Sequence, residues 1–167
     1  MELKFQVQTK IQRPVAEVFD AVYSAEKLSK YFTNGGSSGS LIEGTTVEWG
    51  FADTPGQEMK FPVTVKQTIP NEMIVLEWQS RSDGGNTHVE MQFEEDGNST
   101  IVRISESGWD ESDADDLKRS YSNCMGWSQM LSALKAYLEY GINLRKGAYE
   151  GLYKSSDKNQ SARGART

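Results

Sequence analysis

The sequence contains one cysteine, one histidine and no long apolar run. The single Cys124 excludes an internal disulfide and a cysteine-based metal site, and the single His88 excludes a histidine-rich metal site. No stretch approaches the roughly 20 apolar residues that a membrane span needs. The first residues, MELKFQVQTK, lack the apolar core of a signal peptide. We therefore expect a cytoplasmic protein with no metal, no cofactor and no membrane span.

The sequence also lacks recognisable catalytic or ligand-binding motifs. The alternation of its strand predicts that His88 faces outward, and no second residue completes a Ser-His-Asp or Cys-His arrangement. Cys124 lies on an apolar helical stripe, which indicates a structural thiol rather than a nucleophile. The segment NGGSSGS lacks the Lys-Ser/Thr ending of a phosphate-binding loop and suggests a flap or a linker. The segment DESDADD lacks the glycine and distal glutamate of a calcium loop and suggests helix capping.

Charge is unevenly distributed along the chain. Residues 1–144 hold 12 Lys and Arg against 22 Asp and Glu, a net charge of −10, whereas residues 145–167 hold 6 against 2. An acidic body lacks the basic footprint that phosphates require, so we expect no nucleic-acid partner. We assign residues 1–144 to one folded domain. Residues 145–167 are predicted to hold the helix end and a disordered basic tail, because the final segment KSSDKNQSARGART has almost no apolar residue to bury.

The first two-thirds of the chain reads as strands and turns. Residues 2–11 alternate apolar and polar side chains, two short helical patterns follow, and TNGGSSGS predicts a flexible loop. From there to Trp109, strand patterns are separated by the turn signals DTPG, IPNE, SDGGN and EDGNS. We expect an antiparallel sheet with one packed face and one face in water.

Three of these turns suggest a strand register. Each is interpreted as a two-residue loop, centred on Pro70-Asn71, Gly84-Gly85 and Gly97-Asn98, and all three agree on which side chains face inward. The predicted inward rows are Val63–Trp78–Met91–Ile104, Val65–Leu76–Phe93–Val102, and a partly polar row Phe61–Ser80–Val89–Glu106.

A long helix is predicted to begin near Ser112–Asp113, with acidic residues in its first turn. Gly126 costs about 1 kcal/mol in mid-helix and suggests the close approach of another backbone. Ser120, Tyr121 and Ser128 make the underside of its first half more polar, so any cavity is expected there, above the Trp78 row. The predicted apolar stripe comprises Cys124, Trp127, Leu131, Leu134, Leu138 and Ile142.

Four segments together resemble the START-like (SRPBCC) superfamily: IQRPVAEVFDAVYSAEKLSKYF, VEWGF, SESGW and GWSQMLSALKAYLE. More narrowly, residues 5–140 resemble the family of homologues of the heat-shock protein 90 ATPase activator. The resemblance implies an α+β helix-grip fold. In that fold, a curved antiparallel sheet of six or seven strands surrounds a long C-terminal helix, and two short helices follow strand one. It also implies a cavity for a hydrophobic ligand, or a stress-response role beside a chaperone.

Glu106 is the most informative polar residue of the predicted interior. The register turns it inward beside Ser80, where a carboxylate needs a partner or a raised pKa. It is a candidate for orienting a ligand or for acting as a general base. The alternative is a position at the strand end, in water. No second carboxylate clearly faces it, so an acid–base pair is not argued.

We predict a small-molecule binding protein that holds an apolar or amphipathic ligand between the sheet and the last helix. One alternative is a protein-interaction module related to a chaperone ATPase activator, and a further alternative is a cyclase- or hydrolase-type enzyme without an assigned catalytic residue. A monomer or a homodimer is expected. Gln67 is a further candidate for orienting the ligand. The candidate ligand-binding residues are Trp49, Phe51, Phe61, Val63, Trp78, Ser80, Met91, Ile104, Glu106, Tyr121, Cys124, Trp127 and Ser128.

Overall fold

The computed structural model describes residues 2–152, which form a seven-stranded antiparallel sheet and three helices. The sheet order β1-β7-β6-β5-β4-β3-β2 and the long last helix confirm the predicted helix-grip fold. No helix among residues 2–152 has both the length and the apolar character of a membrane span. The elements are β1 (Lys4–Ile11), α1 (Val15–Tyr23), α2 (Ala25–Leu28), β2 (Gly36–Ser37), β3 (Thr46–Thr54), β4 (Gln57–Ile69), β5 (Met73–Gln79), β6 (Asn86–Asp96), β7 (Ser99–Ser107) and α3 (Ala114–Tyr140).

Alternation along the strands decides which side chains face α3. In β7 every second residue is buried, and the series runs Thr100, Val102, Ile104 and Glu106. The strand period of two therefore places a carboxylate at a core-facing position. The opposite face of the sheet is polar, and His88 is exposed there, 3.9 Å from the Glu77 carboxylate.

The registers of the β6–β7 and β4–β5 pairs agree with the turn-based prediction. The loop Gly97-Asn98 has the predicted two residues, so Met91 pairs with Ile104 and Val89 with Glu106. The β4–β5 prediction is also confirmed at Val63–Trp78 and Val65–Leu76.

The predicted β5–β6 register is wrong by four residues. Trp78 pairs with Thr87 rather than Met91, and Leu76 pairs with Val89 rather than Phe93. Residues 80–85 form a wide loop in which the Asp83 carboxylate accepts hydrogen bonds from the Arg81 guanidinium and from Gly85 N. Because four is an even number, the inward faces of both strands keep their predicted side chains.

A bulge in β4 changes the position of Gln67. The turn before β5 has three residues instead of two, with Asn71 in the left-handed region at a φ of 64°. The register shift between Val65 and Gln67 accommodates the extra residue. Gln67 is consequently exposed and does not face the interior, contrary to prediction. The pairing of β4 with β5 ends at Val63–Trp78, so Phe61 is not paired with Ser80 and the third predicted row is broken.

Helix α3 begins as predicted. The Asp113 carboxylate accepts hydrogen bonds from Asp115 N at 2.7 Å and from Asp116 N at 2.9 Å, which confirms the capping interpretation. The helix ends at Tyr140 because Gly141 adopts a left-handed conformation, with a φ of 67°.

The apolar stripe of α3 is partly as predicted. Trp127, Leu131 and Leu134 are buried, Cys124 and Leu138 are half-buried, and Ile142 lies exposed beyond the helix. Ala136, Met130 and Ala133, which are not part of the predicted stripe, are buried as well.

The segment TNGGSSGS is an ordered part of the sheet. Its Gly36 and Ser37 form β2 and pair with Gly50 and Trp49 of β3. A Cβ on Gly35 would lie 2.8 Å from the Gly50 carbonyl carbon, so only glycine permits this close approach. The segment fixes the edge of the sheet rather than serving as a loose flap or linker.

Residues 144–152, most of them assigned to the tail from the sequence, form turns that contact the sheet. Gly151 N donates to Thr54 Oγ1 at 3.0 Å, and Arg145 forms an ion pair with Asp53. Residues 145–152 therefore pack against the sheet, and α3 already ends at Tyr140, whereas the helix end was expected within residues 145–167. The rest of the predicted tail, residues 153–167, lies outside the described residues.

Candidate functional site

Glu106 is fully buried between the sheet and α3, so the alternative that placed it in water is wrong. Its Oε1 accepts hydrogen bonds from Trp78 Nε1 at 2.9 Å, Thr87 Oγ1 at 2.6 Å and Asn123 Nδ2 at 3.0 Å. Its Oε2 accepts from Trp127 Nε1 at 2.7 Å. Hydrogen bonds from four neutral groups offset the cost of burying the carboxylate.

This hydrogen-bond pattern argues against a general base. A carboxylate offers about four lone-pair positions, and the four donors to Glu106 come from β5, β6 and α3. Both oxygens already accept hydrogen bonds and the side chain is fully buried, so a substrate would reach it only if these contacts rearranged. Glu106 instead ties the helix to the sheet and fixes the planes of the Trp78 and Trp127 indoles.

Aromatic side chains fill most of the space between the sheet and the helix. The ring centroids of Trp78 and Trp127 lie 5.5 Å apart, and Trp49 meets both edge-on at 6.0 and 6.3 Å. Phe32 packs edge-on against Trp49 at 5.5 Å and lies 5.7 Å from Trp127. These rings occupy the volume that a larger ligand cavity would need.

A pocket of about 200 Å³ remains between α3, β3, β4 and the chain after α3. Ligand pockets usually measure about 300–1,000 Å³, whereas an apolar cavity of about 150 Å³ can hold benzene. The pocket therefore has room for about one ring. Its lining residues are Phe32, Phe51, Asp53, Met59, Trp78, Ser122, Asn123, Gly126, Trp127, Gln129, Arg145 and Tyr149.

Gly126 creates part of this space. A Cβ at this position would meet nothing within 4 Å outside its own helix, so no other backbone approaches it. The prediction of a close backbone approach is therefore wrong. The missing side chain widens the pocket at the middle of the helix.

One ion pair lies at the mouth of the pocket. Arg145 Nε and Nη2 contact Asp53 Oδ1 and Oδ2 at 2.8 and 2.6 Å, and the two side chains are only 15 % and 10 % exposed. The guanidinium carbon lies 4.9 Å from the Phe51 ring centroid and 4.8 Å from that of Tyr149. Neither Asp53 nor Arg145 was identified from the sequence.

A further buried carboxylate holds the start of α3. Asp116 Oδ1 accepts a hydrogen bond from Ser82 N at 2.6 Å, and Oδ2 accepts one from Asp110 N at 2.8 Å. Burial acts to raise the pKa of Asp116. The hydrogen bonds and the nearby Arg81 guanidinium outweigh burial and hold that pKa below its ordinary value of 3.8. The contacts of Asp116 fix the 80–85 loop against the helix.

The predicted site residues fall into three groups. Three of them, Phe51, Trp78 and Trp127, line the pocket. A second group lies behind these rings: Trp49, Phe61, Val63, Ser80, Met91, Ile104 and Glu106. The structure does not bring Tyr121, Cys124 or Ser128 to the pocket, because the first is exposed, the second faces elsewhere, and the third lies beside a separate shallow groove.

Asn123 was missed although a signal existed. It lies three residues after Ser120, which the helical pattern placed on the underside of α3. Its Nδ2 donates both to Glu106 Oε1 and to Ser80 Oγ, the latter at 2.8 Å. The pairing of Asp53 with Arg145 had no comparable signal, since 92 positions separate the two residues.

One known protein family matches most of this chain. The model of the family described as "Activator of Hsp90 ATPase homolog 1-like protein" matches residues 12–139. A search of curated proteins finds no significant match.

Solved structures share the fold over most of the chain. Protein SSP2350 from Staphylococcus saprophyticus is 25 % identical, with a TM-score of 0.70 over 86 % of this chain and 97 % of its own. The Aha1 dimer from Colwellia psychrerythraea is 24 % identical, with a TM-score of 0.69 over 84 % and 99 %. DynU16, from the dynemicin biosynthetic locus, is 20 % identical, with a TM-score of 0.71 over 86 % of this chain. This chain spans half the length of DynU16.

Proposed function

We propose, from the premise that this chain belongs to the Activator of Hsp90 ATPase homolog 1-like family, that it binds a small amphipathic molecule in the pocket beside Gly126. The observation that carries the proposal is a partly open pocket of about 200 Å³ whose floor consists of aromatic rings. The ligand has one ring or a short branched chain, because the filled interior leaves no space for more.

The pocket supplies both affinity and orientation. Trp78, Trp127 and Phe51 offer ring faces on which a planar ligand can stack, and apolar burial contributes about 25 cal/mol per Å². Gln129 and the Asp53–Arg145 pair provide polar groups at the edge. An amphipathic ligand fits this division better than a purely apolar one.

Two variants of Gly126 test this proposal. Gly126→Phe places a ring in the pocket, whereas Gly126→Ala adds one methyl group and serves as the matched control. We expect benzamide, a neutral single-ring probe, to shift the indole N–H resonances of Trp78 and Trp127 in the wild-type and Ala proteins but not in the Phe variant. Equal shifts in all three folded proteins would place the binding elsewhere and reject the proposal.

Native mass spectrometry of freshly purified protein addresses the natural ligand. We expect a co-purified molecule of low mass in the wild-type protein and none in Gly126→Phe. A molecule of sterol size bound to both proteins would contradict the pocket-based proposal.

A protein-interaction module that acts on a chaperone ATPase is the second candidate. The family match favours it, and so do Tyr121 and Met125, which lie one turn apart on α3 and are 65 % and 47 % exposed. If it is right, the protein should raise the ATPase rate of heat-shock protein 90, and the paired change Tyr121→Ser, Met125→Ser should remove the effect. An unchanged rate with the wild-type protein would dismiss this candidate.

A further inference from the structure

At the mouth of the pocket, the guanidinium of Arg145 occupies a position that suits a cation. Arg145 makes two parallel hydrogen bonds to Asp53, at 2.8 and 2.6 Å. Its guanidinium lies 4.9, 4.8 and 5.7 Å from the ring centroids of Phe51, Tyr149 and Phe32. A carboxylate combined with several aromatic faces is the environment that a planar organic cation prefers.

The carboxylate half of this arrangement is fixed by the sheet. Asp53 lies in β3, and its Oδ1 also accepts a hydrogen bond from Asn34 Nδ2 at 2.8 Å. The other end of the same amide, Asn34 Oδ1, accepts from Ala52 N at 2.9 Å. Asp53 therefore keeps its position whether or not a cation is bound.

The cationic half lies on a segment outside the regular elements. Arg145 follows the Gly141 cap in the turns of residues 144–152, and Gly151 N to Thr54 Oγ1 is a further hydrogen bond of this segment to the sheet. The hydrogen bonds of Arg145 and Gly151 to the sheet go to the side chains of Asp53 and Thr54, so moving the segment away leaves the strand ladders intact. It leaves Asp53, Phe32 and Phe51 facing the open pocket.

We infer that Asp53, Phe32 and Phe51 form a binding site for a guanidinium or amidinium group carried on a planar apolar body, and that Arg145 occupies this site until such a ligand replaces it. The inference rests on the proposed function, because the body of the ligand occupies the same pocket. The described residues carry 14 Lys and Arg against 23 Asp and Glu, so the net charge of the domain also favours a cation.

An anionic ligand fits less well. A carboxylate that paired with Arg145 would displace Asp53 and leave that side chain, now only 10 % exposed, without its cation. An uncompensated charge that is largely buried is costly. A cationic ligand leaves the displaced Arg145 on a segment that can reach water, so both charges remain satisfied.

Competition from Arg145 weakens the apparent affinity for an external cation. When a site is competent in only a fraction of molecules, the apparent dissociation constant rises by the inverse of that fraction. Removing the Arg145 side chain should therefore tighten the binding of a cationic probe by about tenfold or more, with no new contact formed.

The experiment compares benzamidine, benzamide and benzoate, which share a ring and similar size but carry positive, zero and negative charge. Calorimetric titrations use the full chain as the wild type, Arg145→Ala, and Lys146→Ala as the matched loss of a neighbouring exposed charge. We expect Arg145→Ala alone to tighten benzamidine binding, while benzamide changes little and benzoate weakens. Adding Asp53→Asn to Arg145→Ala should return benzamidine to the affinity of benzamide.

The other possible outcomes distinguish failure of the cation site from failure of the pocket function. Equal binding of benzamidine and benzamide by Arg145→Ala rejects the cation site but leaves the pocket function intact. Tighter binding of benzoate by Arg145→Ala would show that the site prefers an anion, and would reject the inference that it binds a cation. Absence of benzamidine binding rejects the inference, while the Gly126 comparison separately decides the pocket function. If the double variant melts early, Asp53→Asn alone supplies the test, since losing the carboxylate should remove any preference for benzamidine over benzamide.

Discussion

The floor and the mouth of the pocket each contain a buried carboxylate, but the two are stabilised in different ways. At the floor, Glu106 accepts hydrogen bonds from neutral groups on two strands and the helix. At the mouth, Asp53 accepts from Asn34 and pairs with Arg145 on the chain after the helix. We therefore expect the floor to contribute mainly to the stability of the fold, and we propose that the mouth selects the ligand.

The replacement Glu106→Gln should show the largest effect on stability. The amide nitrogen of glutamine cannot accept the hydrogen bonds that one carboxylate oxygen accepts, so at least one buried donor loses its partner. We expect a loss of about 3 kcal/mol in the free energy of unfolding, measured with urea. Asp53→Asn should cost about 1 kcal/mol, because the Arg145 that loses its partner lies on a segment that can reach water. Equal costs would remove the distinction between floor and mouth.

The two tryptophans of the floor should differ in their contributions. Trp127→Phe removes a buried donor at 2.7 Å and part of a buried ring, so we expect a loss of about 2 kcal/mol. Trp78→Phe should cost about half as much, since Trp78 is only half-buried. The same urea titrations measure both variants. A larger loss for Trp78 would show that the sheet side, rather than the helix side, dominates the floor.

Acid should weaken the attachment of the 80–85 loop to the start of α3. The folded-state pKa of Asp116 lies below its ordinary value. Its contribution to stability is therefore present above the unfolded-state pKa and is lost as pH falls through the lower, folded-state value. Asp116→Asn should cost about 1–2 kcal/mol at neutral pH and should flatten the acid-induced loss, measured by urea titrations between pH 5 and 2. An equally steep loss in the variant would assign the acid sensitivity to other groups.

The smallest effect is expected at Gly126, between the floor and the mouth. Alanine has a helix propensity better than that of glycine by about 0.8–1.0 kcal/mol, and its Cβ meets no neighbour within 4 Å. Gly126→Ala should therefore raise the melting temperature slightly without preventing benzamide binding. A lower melting temperature would mean that the helix needs the flexibility of glycine at this point.

The features that depend on a local period could be predicted from the sequence. The alternation in β7 placed Glu106 inward, and the short loop at Gly97-Asn98 fixed the pairing of Met91 with Ile104. The β5–β6 register failed because side-chain bonds of Asp83 stabilise a wider loop than the glycines suggest. The inward-facing side chains of β5 and β6 were still predicted correctly, because they depend only on whether the register shift is even.

Local sequence patterns could not predict the pocket. The period of the helix shows that Trp127 faces the sheet, but only the packing of helix on sheet shows that it shares one carboxylate with Trp78. Composition identified residues 145–167 as basic and poor in apolar side chains. It could not show that Arg145 has a buried partner 92 positions earlier in the chain.

The pairing of β1 with β7 also affects how the chain reaches its fold. Lys4 lies opposite Ser107, whereas β3 to β7 join through hairpins between neighbours in sequence. During synthesis, the first strand leaves the ribosome long before its partner exists, and contacts between distant parts of the chain form slowly. The alternating apolar residues of β1 therefore need protection from aggregation until the last strand and α3 emerge.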